Sequence, residues 1–334
     1  MKQSMVDIFA ELGQRLSAFG EDASSREVAR QAVEANSWFT ADEVLRAARA
    51  LARQMLSGEA LAAWLAGYPA LPVGEPRGVL IVMAGNIPLV GFQDLLCVLV
   101  AGHRAVVKPS SKDSVLMRWL IAELRDIEPE IPISLFEAGD RPDAVVAMGG
   151  DDAVRTLGSM YEGVPALLRG SRWSVAVLEG GETPEQLSAL ADDVFAYSGL
   201  GCRNVSLVLM PEEFDITRLK NALRSYPRPI NPKYANNYRQ TKALLSINGA
   251  EFIDCGHCVM CEEWDFPASV SRINYGRYSS AEDISELLAA HEAEIQCIVG
   301  SIDHPRAVDF GESQSPTLTD YPDGRDTMQF LASI

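Results

Sequence analysis

From Arg77 to Leu178 the chain alternates short unbroken apolar runs with amphipathic stretches: GVLIVM, PLVGFQDLLCVLVAG, RAVVK, DSVLMRWLIAELRD, PISLFEA, DAVVAMGG and WSVAVLEG. An unbroken apolar run suits a strand covered on both faces, and the amphipathic stretches carry the repeat of a helix with one covered face. Their alternation predicts a parallel sheet with helices packed against it. Ahead of this region, Thr40 and Glu43 form a capping-box pattern before the alanine- and leucine-rich run 44–64, which predicts helices at the N-terminus. After Gly181 the spacing changes to a helix over 183–197, a glycine-rich turn, the strand VSLVLM and a helix beginning near Phe214. A second α/β lobe is the simplest account. The segment RPINPKYANN (228–237) reads as a surface connection, and the residues after Asp303, rich in Gly, Pro, Ser and Asp, read as irregular.

These patterns divide the chain into an N-terminal helical segment (1–70) packed on a first lobe (71–178), a second lobe (179–304) and a tail (305–334). With 334 residues, 47% of them hydrophobic, the chain is long enough for two lobes, since single cores stop growing at about 250–300 residues. The net charge of -17 gives a field that repels polyanions, which argues against nucleic acid as a partner. The opening MKQSMVDIFAELGQRL lacks the apolar core of a signal peptide, and no apolar run approaches the length of a membrane span. A soluble cytoplasmic protein is expected. Six cysteines then read as reduced thiols rather than a disulfide framework.

One of those thiols sits in AYSGLGCRNVSLVL, where Gly199 and Gly201 precede Cys202 and a strand follows it. Glycines permit a tight turn, and a thiol on such a turn can meet an electrophile while its own N–H donates to the oxyanion that its attack creates. A small residue starting a buried strand fits the same letters. Asn86 in AGNIP stands where the first strand ends; its amide can cap the following helix or donate into the crevice at the strand's carboxyl end. VVKPSS brings Lys108, Ser110 and Ser111 to the end of a second strand, and MGGDD brings Gly149 and Gly150 to the end of another. Lysine, hydroxyls and closely approaching glycine amides are groups that hold phosphate and ribose. The GxGxxG dinucleotide fingerprint is missing from this lobe. CGHCVMC spaces Cys255, Cys258 and Cys261 as metal ligands can be spaced, but His257 lies too close to Cys258 to join easily as a fourth ligand, so strand and turn without metal is the expectation.

In this order the segments resemble the aldehyde dehydrogenase superfamily, and within it the acyl-CoA reductases of the bacterial luminescence type (LuxC). PRGVLIVMAGNIPLVGFQDLLCVLVAGHRAVVKPSSKDS is similar to the block carrying the family's oxyanion-binding Asn and cofactor-binding Lys. VVAMGGDDAVRTL resembles its cofactor loop, SVAVLEGGE its glutamate and glycine-pair segment, GLGC its G-Q-x-C nucleophile motif and CEEWDFP its E-x-F-G-P motif.

The resemblance implies an aldehyde-dehydrogenase-like α/β fold, with a doubly wound cofactor lobe, an α/β catalytic lobe and a cleft between them. It makes Cys202 the covalent nucleophile, Asn86 an oxyanion donor, and Lys108, Ser110, Ser111, Gly149, Gly150 and Glu263 cofactor contacts. Glu179 becomes the counterpart of the general base, although aligning on the glycines puts Leu178 there instead. Leu200 stands in place of the family's Gln, which suits a branch whose product is not a free acid. The implied reaction reduces an acyl thioester, from fatty acyl-CoA or an acyl-activating partner enzyme, to an aldehyde. Ser111 replaces the acidic residue that repels a 2′-phosphate, which implies NADPH, with NADH as the alternative. Lys108, Lys112, Arg169 and Arg172 would offset the acidic charge locally. The family's oligomerisation hairpin has no room between Leu71 and Arg77, so a homodimer would use other surfaces. Glutamyl-phosphate-reductase-like or other aldehyde dehydrogenase activity is the rival within the enzyme class, and a non-catalytic or metal-binding relative is the rival outside it.

Overall fold

In the computed structural model, which describes residues 4–227 and 231–334, the chain forms two units: Met1–Ser171 with Pro316–Ile334, and Arg172–Ser315. The first begins with α1 (Met5–Ser17), α2 (Ala23–Ala35), α3 (Ala41–Met55) and α4 (Gly58–Ala66). The Thr40–Glu43 capping box forms as its letters require, satisfying the first N–H groups of α3. These helices bury one apolar face each; Phe9 of α1 meets Phe92 edge to face with ring centroids 6.2 Å apart. Between 67 and 77 there is no strand.

Strands β1 (Gly78–Val82), β2 (Arg104–Lys108), β3 (Ile133–Leu135), β4 (Ala144–Met148) and β5 (Ala166–Arg169) make a wholly parallel sheet in the order β3-β2-β1-β4-β5. The chain winds outward from β1 in one direction and then returns to wind in the other, so a topological switch point lies between β1 and β4. The intervening helices are α5 (Phe92–Val100), α6 (Ser114–Ile127) and α7 (Asp151–Met160). All nine residues of α5 are buried, because it lies between the sheet and the N-terminal helices.

The second unit contains β6 (Trp173–Val177), α8 (Pro184–Phe195), β7 (Val205–Pro211), α9 (Ile216–Arg224), α10 (Pro232–Ile247), β8 (Ile253–Asp254), β9 (Val259–Glu262), β10 (Arg272–Tyr278), α11 (Ala281–Ala290), β11 (Ile295–Val299) and β12 (Ala307–Val308). Its sheet runs β12-β11-β6-β7-β10-β9-β8, with only β8 antiparallel to its neighbour. No helix among the described residues is long and apolar enough to cross a membrane.

Three elements differ from the sequence expectation. The run WSVAV joins the second sheet, between β11 and β7, instead of closing the first. A strand buried on both faces has the same pattern in either sheet, so the pattern cannot assign it. Part of RPINPKYANN is helical: Asn231 caps α10 by accepting the Lys233 N–H at 2.8 Å, and Pro232 takes the first turn, where a missing N–H costs nothing. Arg228 to Ile230 lie outside the described residues. The tail is not uniformly irregular, since α12 (Thr327–Ala332) docks on the first unit and residues 305–315 belong to the second.

Besides the buried apolar Met328 and Leu331, buried polar groups hold α12. Arg169, read earlier as a cation available to a ligand, is fully buried; its Nη1 donates to both Asp94 oxygens at 2.8 and 2.9 Å and its Nη2 to Thr327 Oγ1 at 2.5 Å. Buried His103 takes the Arg77 N–H on Nδ1 at 3.1 Å and meets the Leu331 carbonyl through Nε2 at 2.9 Å. Tyr321 accepts the Trp64 indole N–H at 2.8 Å. Removing one member of a buried ion pair leaves the other charge uncompensated, typically at about 3–5 kcal/mol. Asp94→Ala is therefore expected to lower stability by about that amount, and Asp94→Leu with Arg169→Met by less, measured by urea unfolding.

Candidate active site

Parallel strands deliver their loops to one edge, and in the first unit three of those loops carry the sequence candidates. β1 runs into Ala84–Pro88, β2 into Lys108–Ser111 and β4 into Gly149–Gly150. The first two loops touch: the Met83 N–H donates to the Lys108 carbonyl at 3.1 Å, and a Cβ placed on Gly85 would lie 2.5 Å from Ser110 Oγ. Gly85 is thus required by close approach. Asn86 is half-buried and lies six residues before α5 begins, and Gly91 occupies the N-cap position, so Asn86 is not the cap of that helix. Lys108 is exposed, with its ammonium 5.6 Å from the Phe136 ring centroid. The Gly149 N–H is committed to the Arg169 carbonyl at 3.1 Å, whereas Gly150 opens α7 without a side-chain cap.

Beneath the first two loops lies Asp113, buried to 2% exposure. Its Oδ2 accepts the Leu89 N–H at 2.7 Å, and its Oδ1 has no partner among the described residues. Burial pushes this carboxyl from an ordinary 3.8 up to about 8, against the smaller opposite pull of the Leu89 N–H.

In the second unit α8 ends at Phe195 and the chain passes through three consecutive left-handed residues, Tyr197, Ser198 and Gly199, with φ of 52°, 58° and 65°. Two of these are not glycine, a conformation that costs free energy and needs outside support. Asn204 supplies it. Its Nδ2 donates to the carbonyls of Asp193, Val194 and Ala196 at 3.0, 3.3 and 2.9 Å, and its Oδ1 accepts the Gly201 N–H at 2.8 Å. Carbonyls orphaned at the helix end and an amide of the turn are satisfied by one side chain. The Cys202 carbonyl accepts the Ser174 hydroxyl of β6 at 2.9 Å, while the Arg203 guanidinium bonds the Ser313 carbonyl. Cys202 itself is half-buried.

Comparison with known proteins matches residues 23–243 to the family model described as acyl-CoA reductase (LuxC). The chain belongs to this family. The matched span takes in Asn86, Lys108, Gly149, Gly150 and Cys202 and ends before Glu263. Among curated relatives, the long-chain acyl-protein thioester reductase of Aliivibrio fischeri is 23% identical over 58% of this chain and 45% of its own length. The protein of the same name from Vibrio harveyi is 24% identical over 67% of this chain and 55% of its own length. The chain therefore spans about half the length of these relatives. Among solved structures, an aldehyde dehydrogenase from Physcomitrella patens superposes with a TM-score of 0.71 at 12% identity, covering 98% of this chain and 83% of the other. An acetylating aldehyde dehydrogenase from Geobacillus thermoglucosidasius gives 0.62 at 14% identity, covering 95% and 84%. The fold of this LuxC-family chain is that of the aldehyde dehydrogenases.

Not every residue proposed from the LuxC resemblance falls where it was expected. Ser174, bonded to the Cys202 carbonyl, and Glu179 stand five residues apart along and beyond β6, a separation of roughly 16 Å at strand rise. Glu179 follows the carboxyl end of that strand and Cys202 precedes the amino end of its parallel neighbour β7, so the sheet holds them apart. In SVAVLEGGE, read by resemblance as the family's glutamate segment, the apolar letters belong to β6 and the glutamate follows it. Beside exposed Glu179, the buried Glu182 takes its N–H and that of Gly180, and Arg218 bonds the Gly180 carbonyl at 2.8 Å. Glu263 is ion-paired with Arg272 and lies within 3.5 Å of the Asn274 amide.

Cys255 and Cys258 flank a two-residue turn closed by the Cys255 N–H on the Cys258 carbonyl at 3.0 Å. The contact with Cys255 and burial push the Cys258 thiol well above its ordinary range. Among the described residues no group of three or more His, Cys, Asp or Glu is arranged to hold a metal ion.

Asp113, Asn204, Glu182 and Ser174 were not singled out from sequence. Only Asn204 left a local signal, a polar residue between the thiol and a buried strand. Because burial raises the folded-state pKa of Asp113, the fold favours its protonated form. That contribution is complete below 3.8 and is lost as pH rises towards about 8. Asp113→Asn does not ionise, so wild-type stability relative to this variant is expected to fall across that window and level off above it, measured by denaturant unfolding at a series of pH values.

Proposed function

We propose that this LuxC-family chain reduces a long-chain acyl thioester to the aldehyde in the cytoplasm, through a thioester formed on Cys202. The observation that carries this is the turn itself: a half-buried thiol on a strained backbone whose carbonyls and amide are held by Asn204. Such an arrangement expends stability to fix one sulfur, which a packing cysteine does not need. Family membership and the names of the curated relatives support the substrate class.

In this reading the Cys202 thiolate attacks the acyl carbonyl, forming an S–C bond. The tetrahedral oxyanion receives N–H donation from the Asn86 side chain and the Cys202 backbone, and its collapse expels the donor thiol. A donor of this kind contributes about 2.7–4 kcal/mol to the transition state. The acyl group arrives as acyl-CoA or from an acyl-activating partner enzyme. Glu179 has no part, because the sheet keeps it from the thiol, and the product aldehyde requires no activated water.

A nicotinamide cofactor fits the first unit on an observed feature: a Cβ on Gly150 would meet nothing within 4 Å, so the backbone that opens α7 is free for close approach beside a topological switch point. Exposed Lys108 and Ser111 and half-buried Ser110 would hold its ribose and phosphate side, with Gly150 at the start of α7 towards the pyrophosphate. Glu263 remains assigned to a cofactor ribose on the family motif. When bound, the cofactor supplies the hydride that converts the enzyme thioester to aldehyde and free thiol. Ser111 and Lys112, both exposed and neither acidic, favour the 2′-phosphate of NADPH over NADH.

Incubation with labelled hexadecanoyl-CoA and no cofactor should label Cys202 alone, as read by peptide mass spectrometry. Cys202→Ala should abolish labelling and reduction while retaining NADPH binding, and Asn86→Ala should slow acylation by roughly 10²–10³. Label on another cysteine, or reduction by Cys202→Ala, overturns the proposal. Calorimetry should show NADPH binding more tightly than NADH; the reverse order removes the argument from Ser111.

A further inference from the structure

We infer that Asp113 is a positioning residue that fixes the loop presenting Asn86. The inference rests on the reading of Asn86 as oxyanion donor. It starts from how the stretch 85–89 is anchored. On one side of Asn86, Gly85 packs on Ser110 and on the Asp113 amide, where a Cβ would come within 2.5 and 3.1 Å. On the other side, Leu89 has a left-handed φ of 60°, and its N–H is received by the Asp113 carboxyl at 2.7 Å. The Asp113 N–H in turn bonds the Ser110 carbonyl at 3.1 Å. Both ends of the stretch are thus fastened to one four-residue segment, Ser110–Asp113.

Between the anchors, Pro88 has a locked φ and restricts Ile87 to extended backbone, so few torsions remain free. Holding leucine in the left-handed region costs free energy that only an external bond recovers. The carboxyl that supplies that bond does so at its own expense, buried with Oδ1 unpartnered among the described residues. It also stands at the N-cap position of α6 without capping it, where an aspartate ordinarily would. A group that forgoes its ordinary bond and lies buried to make another is placed for that other bond. Its acceptor oxygen is what matters, and both the protonated acid and an amide offer one.

The test uses the full chain and the rate at which radiolabelled hexadecanoyl-CoA acylates Cys202 in single turnover. Asp113→Ala is expected to slow acylation by ~10²-fold, the usual effect of misplacing a catalytic group. Asp113→Asn, which keeps the carbonyl acceptor, should recover most of the rate. In an Asn86→Ala background, Asp113→Ala should produce no further slowing, because the two act through one amide. Asp113→Leu, which fills the space without an acceptor, serves if the alanine variant does not fold, and should be equally slow.

A slow Asn86→Ala protein with Asp113→Ala or Asp113→Leu at wild-type rate would overturn the inference. So would multiplying effects in the double variant, or an asparagine variant as slow as alanine, since a merely structural role gives these results. Failure of the underlying reading looks different. Wild-type protein that takes no label on Cys202, or Asn86→Ala that acylates at the wild-type rate, would remove the role of Asn86 and the inference with it.

Discussion

When strands run parallel, every loop that leaves a carboxyl end leaves at the same edge of the sheet, and backbone polar groups there are no longer consumed by the ladder. In the first unit this gathers AGNIP, KPSS and MGG, which are separated by tens of residues in the chain, onto neighbouring strand ends. Their proximity is a consequence of strand direction and order. The tight fit of Gly85 against Ser110 then packs the first two of these loops against each other.

The same constraint explains what the second unit does differently. Cys202 comes before the amino end of β7, following a helix, so its turn inherits the unsatisfied carbonyls of that helix. A buried carbonyl without a partner is costly, and the chain answers with one amide that serves three carbonyls and an N–H. The polar residues that support the candidate sites share this logic. Asn204, Asp113 and the Arg169–Asp94 pair are each buried, and each ties segments that apolar packing alone would leave free to shift. Such groups add little net stability but penalise alternatives heavily, because any rearrangement strands a buried polar atom. Fixed geometry is what the proposed acyl transfer at Cys202 requires.

How much of this was legible depended on whether the signal was local. Alternating apolar runs and helical repeats revealed the α/β class and the N-terminal helices, and the short motifs singled out Asn86, Lys108 and Cys202 as candidates, because each pattern is completed within a few residues. The family belongs to the same category: its motifs are contiguous. WSVAV could not be assigned to its sheet, since burial on both faces leaves the same letters in either. The position of Glu179 was equally hidden, because it depends on which strand precedes the glutamate and on which end of the sheet the thiol occupies. Asp113 and Asn204 look in sequence like an ordinary helix cap and an ordinary turn residue.

By itself, then, the sequence determined the α/β class, the N-terminal helices and the alternation of strand and helix in the first unit, all of which follow from periodicity and local chemistry. Only the tertiary structure decided strand order, the docking of α12 through Arg169 and Thr327, and the bonds that hold Leu89 and the Cys202 turn. These depend on pairing between residues far apart in the chain, and the gain from burying a polar atom exists only once its distant partner is in place.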